Sequence, residues 1–75
     1  MKEEKALVWI TDIKRLINGS PYFHSYDASF MPSDLVPPEG RQVRYRCRKL
    51  YEVGYMNRSG GGRWGWFYQI KEQYR

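Results

Sequence analysis

The arginine-rich segment that begins at residue 41 carries the side chains best suited to binding chemistry. Arginine can pair bidentately with guanine or with phosphate, and glutamine can pair with adenine. Short polar side chains and glycine N–H groups can add contacts to phosphate oxygens. The residues predicted to contact a nucleic acid are Arg41, Gln42, Arg44, Tyr45, Arg48, Lys49, Arg58, Ser59 and Arg63. Their types favour a polyanionic partner, provided that the fold places them on one surface.

A helix from about residue 40 to residue 53 is predicted to carry the first group of these side chains. Val43, Cys47 and Leu50 recur at helical spacing, which places them on one side of an α-helix. With 3.6 residues per turn, most of the arginine-rich group points to the opposite side. Gly54 follows, where a residue able to adopt positive φ commonly ends a helix.

A β-hairpin from about residue 55 to residue 70 is predicted to carry the second group. Two aromatic-rich segments flank Ser59-Gly60-Gly61-Gly62, and glycines between two strands predict a turn. In the returning strand, alternation places Trp66, Tyr68 and Ile70 on one face. We expect that face to pack on the first helix.

The N-terminal segment predicts an amphipathic helix from about residue 3 to residue 17. Apolar residues recur at helical spacing at Ala6, Ile10, Ile13 and Ile17. Glycine at the Asn18-Gly19 step predicts its end. A loop is predicted to follow, to about residue 29, and its single histidine is expected to be solvated.

A short helix is predicted from about residue 32 to residue 36. Pro32 suits the first helical position because its missing N–H would have no partner there, and Asp34 faces the positive end of the helix dipole. Met31 stands in the capping position without a side-chain oxygen, so weak capping is expected. Pro37-Pro38 ends the helix, and a short extra strand near residues 28–31 is left open.

Size and composition predict one small domain. The chain has 75 residues with three Trp, seven Tyr and three Phe, and each aromatic can bury about 150–250 Å². Cys47 cannot form an internal disulfide, and with His24 alone it cannot hold a structural zinc ion. We expect Cys47 to be a buried apolar residue, not a redox sensor. No metal site and no cofactor is predicted.

Charge is distributed unevenly along the chain. Residues 1–40 contain four Lys or Arg against six Asp or Glu, a net charge of −2. Residues 41–75 contain nine against two, a net charge of +7. The positive field therefore belongs to the predicted third helix and hairpin, and it favours a polyanion partner.

Other classes of function are disfavoured. The chain contains no catalytic carboxylate pair or triad at recognisable spacing, so no enzyme activity and no catalytic residue is predicted. Gly60-Gly61-Gly62 is not a phosphate loop, because no Lys-Ser/Thr follows it. No run of about 18 apolar residues predicts a membrane span, and the N-terminus lacks a signal peptide's apolar stretch. A cytoplasmic location is expected.

The order of the predicted elements resembles a winged helix-turn-helix DNA-binding domain of the transcription-regulator type. The residues that match the family's recognition helix, its end and its first wing strand are Val43, Cys47, Leu50, Gly54, Tyr55 and Met56. Tyr68-Gln69-Ile70 matches the closing strand of the wing. The segment from Met31 to Val36 resembles the family's T-P-x-D-L-A start of the second helix, with Met31 in place of Thr.

This resemblance implies an α+β fold of three helices followed by a two-stranded hairpin, as a single domain over residues 1–75. It implies binding of double-stranded DNA by a small transcriptional or replication regulator. A homodimer is expected, because one small module usually needs a symmetric partner to reach operator-level affinity. The sequence contains no dedicated dimerisation helix, so the mode of pairing stays open.

Two alternatives are carried forward. Exposed aromatics can mark a protein interface, and those expected at the surface are Tyr22, Phe23, Tyr26, Trp64 and Phe67, with Trp64 and Phe67 as the main candidates for a protein partner. Aromatics beside arginines can also stack on single-stranded nucleic acid or RNA. One arginine is excluded from the DNA contacts: Arg46 lies beside the apolar stripe and is expected to pair with Asp12 on the first helix.

Overall fold

The structure, a computed structural model, describes residues 1–21, 25–35, 40–63 and 65–75, without the side chains of residues 40 and 41. It confirms the expected α+β class: three helices precede a two-stranded antiparallel hairpin. The elements are α1 (Glu3–Gly19), α2 (Pro32–Leu35), α3 (Gly40–Glu52), β1 (Met56–Gly62), β2 (Gly65–Ile70) and a 3-10 helix (Glu72–Tyr74).

Helix α1 buries the predicted apolar stripe, with Trp9 beside it. Glu3 and Glu4 lie in its first turn, where negative charge is favoured by the helix dipole. The helix runs to Gly19, and the N–H of Ser20 donates to the carbonyl of Ile17 at 3.1 Å. The predicted end near residue 18 is thus close to the observed one.

Helix α2 is capped differently from the expectation. The N–H of Met31 donates to Oδ2 of Asp34 at 3.1 Å, and the N–H of Asp34 donates to the carbonyl of Met31 at 2.9 Å. The Asp34 carboxylate therefore binds the backbone N–H of the capping residue, a contact that the sequence analysis did not predict, while Met31 supplies no side-chain oxygen to the helix start. Val36 and the Pro37-Pro38 turn lie outside the described residues.

Helix α3 places Val43, Cys47 and Leu50 in the core, as their spacing predicts. Its last residue is Glu52, and Gly54 has a φ of +91°. The N–H of Tyr55 donates to the carbonyl of Leu50 at 2.8 Å, which turns the chain into β1. Gly54 thus occupies the left-handed conformation that the sequence assigned to it.

The hairpin differs from the prediction at its tip. Strand β1 continues through Ser59, Gly60 and Gly61 to Gly62, and the register shifts between Gly60 and Gly62. Residues 59–62 therefore belong to β1, and the turn begins after Gly62. Glycines at positive φ allow an irregular strand as readily as a turn, and composition alone does not separate the two.

The proximal part of the hairpin closes the core. Met56 pairs with Ile70, and both residues are almost completely buried. Tyr68 is bridged to Phe30 by two backbone hydrogen bonds of 2.8 and 2.9 Å. The extra strand that the sequence left open is thus reduced to a single bridge at Phe30.

The buried apolar side chains form one cluster: Ala6, Trp9, Ile10, Ile13, Ile17, Phe30, Leu35, Val43, Cys47, Leu50, Met56, Tyr68 and Ile70. Tyr68 and Ile70 join it as expected. Trp66 does not, because 42% of its surface is exposed. It lies on the predicted face of β2 but beyond the edge of the core, so the expectation that it packs on α1 was wrong.

The C-terminal segment, residues 71–75, is folded onto the domain. The rings of Tyr55 and Tyr74 lie 4.7 Å apart. The Nζ of Lys14 donates to the carbonyl of Arg75 at 3.2 Å, and Nε of Arg75 donates to the carbonyl of Ile70 at 2.8 Å. Across the described residues, no helix has the length and apolar character needed to cross a membrane.

Candidate nucleic-acid interface

The side of α3 opposite the core presents the first group of predicted site residues to solvent. Gln42, Arg44, Tyr45 and Arg48 are exposed, and the ring of Tyr45 is 49% exposed. The guanidinium carbon of Arg48 lies 5.6 Å from the centre of that ring. The side chain of Arg41 is outside what the structure describes.

Ion pairs leave the charge on this surface unevenly compensated. Glu52 forms ion pairs with Lys49 at 3.6 Å and with Arg48 at 3.9 Å, near the C-terminal end of α3. Arg44 has no carboxylate partner among the described residues. Among the described side chains of α3, the positive charge without a carboxylate partner therefore lies at Arg44, which is exposed in the N-terminal half of the helix.

The hairpin positions Arg58 beside two aromatic rings, Trp66 on β2 and Tyr51 on α3. Its guanidinium carbon lies 3.8 Å from the ring centre of Trp66 and 4.1 Å from that of Tyr51. Its Nε is buried with no hydrogen-bond acceptor in the described part of the chain. The side chain thus contacts two aromatic rings and has no carboxylate partner among the described residues, and a guanidinium close to aromatic rings is a favourable arrangement.

The remaining hairpin residues of the predicted site are divided between its two faces. Ser59 is exposed and lies opposite Phe67, on the face away from Arg58. Arg63 is exposed in the turn. The structure therefore brings Arg58 toward α3 and places Ser59 on the other face of the hairpin.

A cleft between α3 and the hairpin collects most of these groups. It has a volume of about 250 Å³ and is lined by Arg44, Tyr45, Arg48, Arg58, Trp66 and Tyr68. An adjoining cleft of about 350 Å³ shares Arg44, Trp66 and Tyr68, and Arg63 also lines it. Four predicted cationic side chains from two elements thus border one continuous stretch of surface.

Gln42 lies at the edge of this stretch. It lines a separate cleft of about 340 Å³ with Trp9, Tyr45 and Arg46. The Nη1 of Arg46 is 3.4 Å from Oδ2 of Asp12, and its guanidinium carbon is 5.3 Å from the Trp9 ring. Arg46 therefore joins α3 to α1, as the sequence predicts.

Sequence reasoning missed three residues that shape this site. It did not assign Tyr51 a role, it placed Trp66 in the core, and it placed Gly61 at a turn. Gly61 has a φ of +86°, and an added Cβ would overlap the six-membered ring of Trp66. The signal was present in the alternation of the hairpin, since Arg58 and Trp66 fall on the same face.

Cys47 contributes nothing to the surface. It is fully buried, and loss of hydration on burial raises the pKa of its thiol to about 12. A thiol in this state is protonated at neutral pH and has no exposed sulfur. Among residues whose positions are described, no three His, Cys, Asp or Glu side chains are grouped as a metal site would require.

The aromatic patch expected for a protein partner is only partly described. Phe67 is exposed. Tyr26 packs against the core, and its hydroxyl accepts a hydrogen bond from Nδ2 of Asn18 at 2.6 Å. Tyr22, Phe23, His24 and Trp64 lie outside the described residues, so this patch stays a prediction.

The arrangement of arginines beside aromatic rings is suited to binding a polyanion with an extended backbone. Arginine supplies fixed, planar donors, and the aromatic rings exclude water from around them. No protein-family model, curated protein or solved structure matches this chain. Its function is therefore inferred from the geometry of these residues alone.

Proposed function

We propose that this chain is a winged helix-turn-helix domain that binds double-stranded DNA. The observation that supports this most directly is the convergence of Arg44 and Arg48 on α3 with Arg58 on the hairpin, all bordering one cleft. Arg44 and Arg58 have no carboxylate partner among the described residues, so their charge is available to a polyanion.

The two elements would divide the work by their shapes. A major groove about 12 Å wide admits an α-helix, so α3 would enter it with Gln42 and Arg44 toward the base edges. The hairpin would follow the sugar-phosphate backbone, with Arg58 and Arg63 at phosphates. Phosphate contacts would supply most of the non-specific affinity and make binding depend steeply on salt.

The biological role that fits is a small transcriptional or replication regulator. A single module of this size makes few base contacts, so a homodimer on a two-fold symmetric site is the expected active form. The side of α1 that faces away from the core would supply the dimer contact, because Leu7 and Val8 are exposed there.

Single-stranded nucleic acid or RNA is the second candidate, because Tyr45 and Trp66 are exposed beside arginines. One feature disfavours it. The Trp66 ring already carries Arg58 at 3.8 Å and is packed against Gly61, so it offers a base less stacking surface than an unoccupied ring. Duplex DNA is therefore the preferred partner.

The experiment is fluorescence anisotropy of a labelled duplex of roughly 30 base pairs, titrated at two salt concentrations with unlabelled single-stranded competitor. We expect micromolar binding that weakens steeply with salt and resists the competitor. A competitor that displaces the duplex at equal concentration would favour the single-stranded candidate. No binding at low salt would refute both and direct attention to a protein partner at Phe67 and Trp64.

A further inference from the structure

The guanidinium of Arg58 lies against aromatic rings and not against a carboxylate in the described part of the chain. Its guanidinium carbon lies 3.8 Å from the ring centre of Trp66 and 4.1 Å from that of Tyr51. Its Nε–H is buried without an acceptor among the described residues. The donors that remain are those on the two terminal nitrogens, which lie in the plane of the group.

Two further arginines lie at the same cleft. Arg44 and Arg48 border it from α3, and no Asp or Glu is among its lining residues. In the described part of the chain, the carboxylate that pairs with this group is that of Glu52, which is 3.9 Å from Nε of Arg48. Cations gathered without a matching anion repel one another, and a bound anion would remove that cost.

We propose that this cleft is a discrete binding site for one phosphate group, with Arg58 as its oriented donor. The proposal deepens the proposed function, since a nucleic acid is the expected source of the phosphate. The rings of Tyr51 and Trp66 fix the guanidinium plane, so that its terminal N–H groups meet two phosphate oxygens in the fork geometry that arginine favours. Arg44 and Arg48 add charge from the other wall.

Tyr51 and Trp66 are positioning residues in this account. Gly61 is part of the same device, because only a residue without Cβ leaves room for the Trp66 ring. A nucleobase is a poorer occupant than a phosphate. The indole has Arg58 on its ring and Gly61 against its six-membered portion, so little of it is left to stack.

The test is an NMR titration of the full chain with inorganic phosphate, reading the side-chain N–H signals of the arginines. We expect saturable shifts at Arg58 that sodium chloride of equal ionic strength does not produce. Arg15, which is exposed on α1 and pairs with Asp12, serves as the control and should not saturate. Equal, non-saturating shifts at Arg58 and Arg15 would overturn the proposal.

Variants separate orientation from charge. Trp66→Ala should weaken the apparent phosphate affinity about threefold to tenfold, whereas Phe67→Ala, on the other face of β2, should change it less than about twofold. Arg58→Lys keeps the charge without the planar fork. It should reduce duplex affinity about tenfold, and Arg63→Lys should reduce it about twofold or less. Equal losses in the two lysine variants would contradict an oriented donor.

The source of the phosphate is resolved by comparing duplexes with and without 5′-terminal phosphates. An internal phosphodiester predicts equal affinities, and a terminal phosphomonoester predicts loss when the end group is removed. The two proposals also fail separately. Duplex binding without a saturable phosphate shift would remove this site and leave the DNA function, whereas a phosphate shift without duplex binding would do the opposite.

Discussion

The two halves of the hairpin differ in residue type and in burial. The near half, which follows the end of α3, pairs Met56 with Ile70 and is buried in the core. The far half pairs Gly60 with Trp66, and Trp66 is 42% exposed there. The same face of the same sheet thus changes from a packed apolar layer to a cationic and aromatic wall within a few residues.

This contrast indicates how a small chain can combine stability with a binding surface. The near half anchors the strands by burying apolar area, which is the main favourable term in folding. The far half then extends beyond the core with its backbone already aligned. Arg58 lies at the border between the halves and is held by Tyr51 and Trp66 instead of by the core.

The largest effect is expected from breaking the near half. Ile70→Ala removes a fully buried side chain and should lower the free energy of unfolding by about 2–5 kcal/mol, from lost burial and a cavity. Phe67→Ala, at a position 38% exposed on the other face, should cost under about 1 kcal/mol. Urea denaturation followed by circular dichroism measures both. Similar losses would contradict the division into two halves.

The second effect concerns binding and should leave stability unchanged. Arg44→Ala combined with Arg48→Ala should reduce duplex affinity about 10–100-fold and flatten the slope of log K against log salt by about 0.9 per lost phosphate contact. Lys2→Ala combined with Arg15→Ala is the matched control, because it removes two exposed cations at α1. A loss as large in the control would indicate that only net charge matters.

The third effect tests how the far half is shaped. Gly61→Ala places a Cβ into the Trp66 ring at a φ of +86° and should destabilise the protein by about 1–3 kcal/mol. Gly62→Ala meets no atom within 4 Å and should change stability by less than about 1 kcal/mol. Thermal unfolding followed by Trp fluorescence compares them. Equal behaviour would refute the packing of Gly61 against Trp66.

The smallest expected effect is a pH dependence of stability, which arises from Cys47 on the buried side of α3. Burial raises the pKa of Cys47 from 9.0 to about 12, so the unfolded chain loses the thiol proton first. The stability that this difference contributes is complete below pH 9 and declines as the pH rises toward 12. Between pH 8 and pH 10 the free energy of unfolding should fall by about 1 kcal/mol more in the unmodified protein than in Cys47→Ala. Denaturation curves with equal pH slopes would contradict burial of the thiol.

The patterns that repeat along the chain predicted most of the fold. Helical spacing identified the stripes of α1 and α3, and alternation identified the inner face of β2, since burial at these positions follows from local geometry. Arg46 with Asp12 was predicted for the same reason: a cation beside a buried stripe is close to the neighbouring helix.

Properties that depend on where the core ends could not be predicted from these patterns. Trp66 shares a face with Ile70, yet periodicity does not say how many residues of a strand the core covers. The glycines after Ser59 permit both a turn and an irregular strand. The contact between Arg58 and Tyr51 joins the hairpin to α3. No rule of sequence spacing relates two such residues, so this contact could not be predicted. The site was therefore predicted by residue type and corrected by geometry.

The measurement that tests the central claim most directly is an NMR titration of the isotope-labelled chain with an unlabelled duplex of roughly 30 base pairs. The claim that α3 and the far half of the hairpin form one DNA-binding surface predicts shifts at Arg44, Arg48 and Arg58 that progress together with one apparent affinity. Residues on the outer side of α1, such as Val8, should stay unshifted. Shifts confined to α1, or shifts of α3 and the hairpin with unrelated affinities, would contradict it.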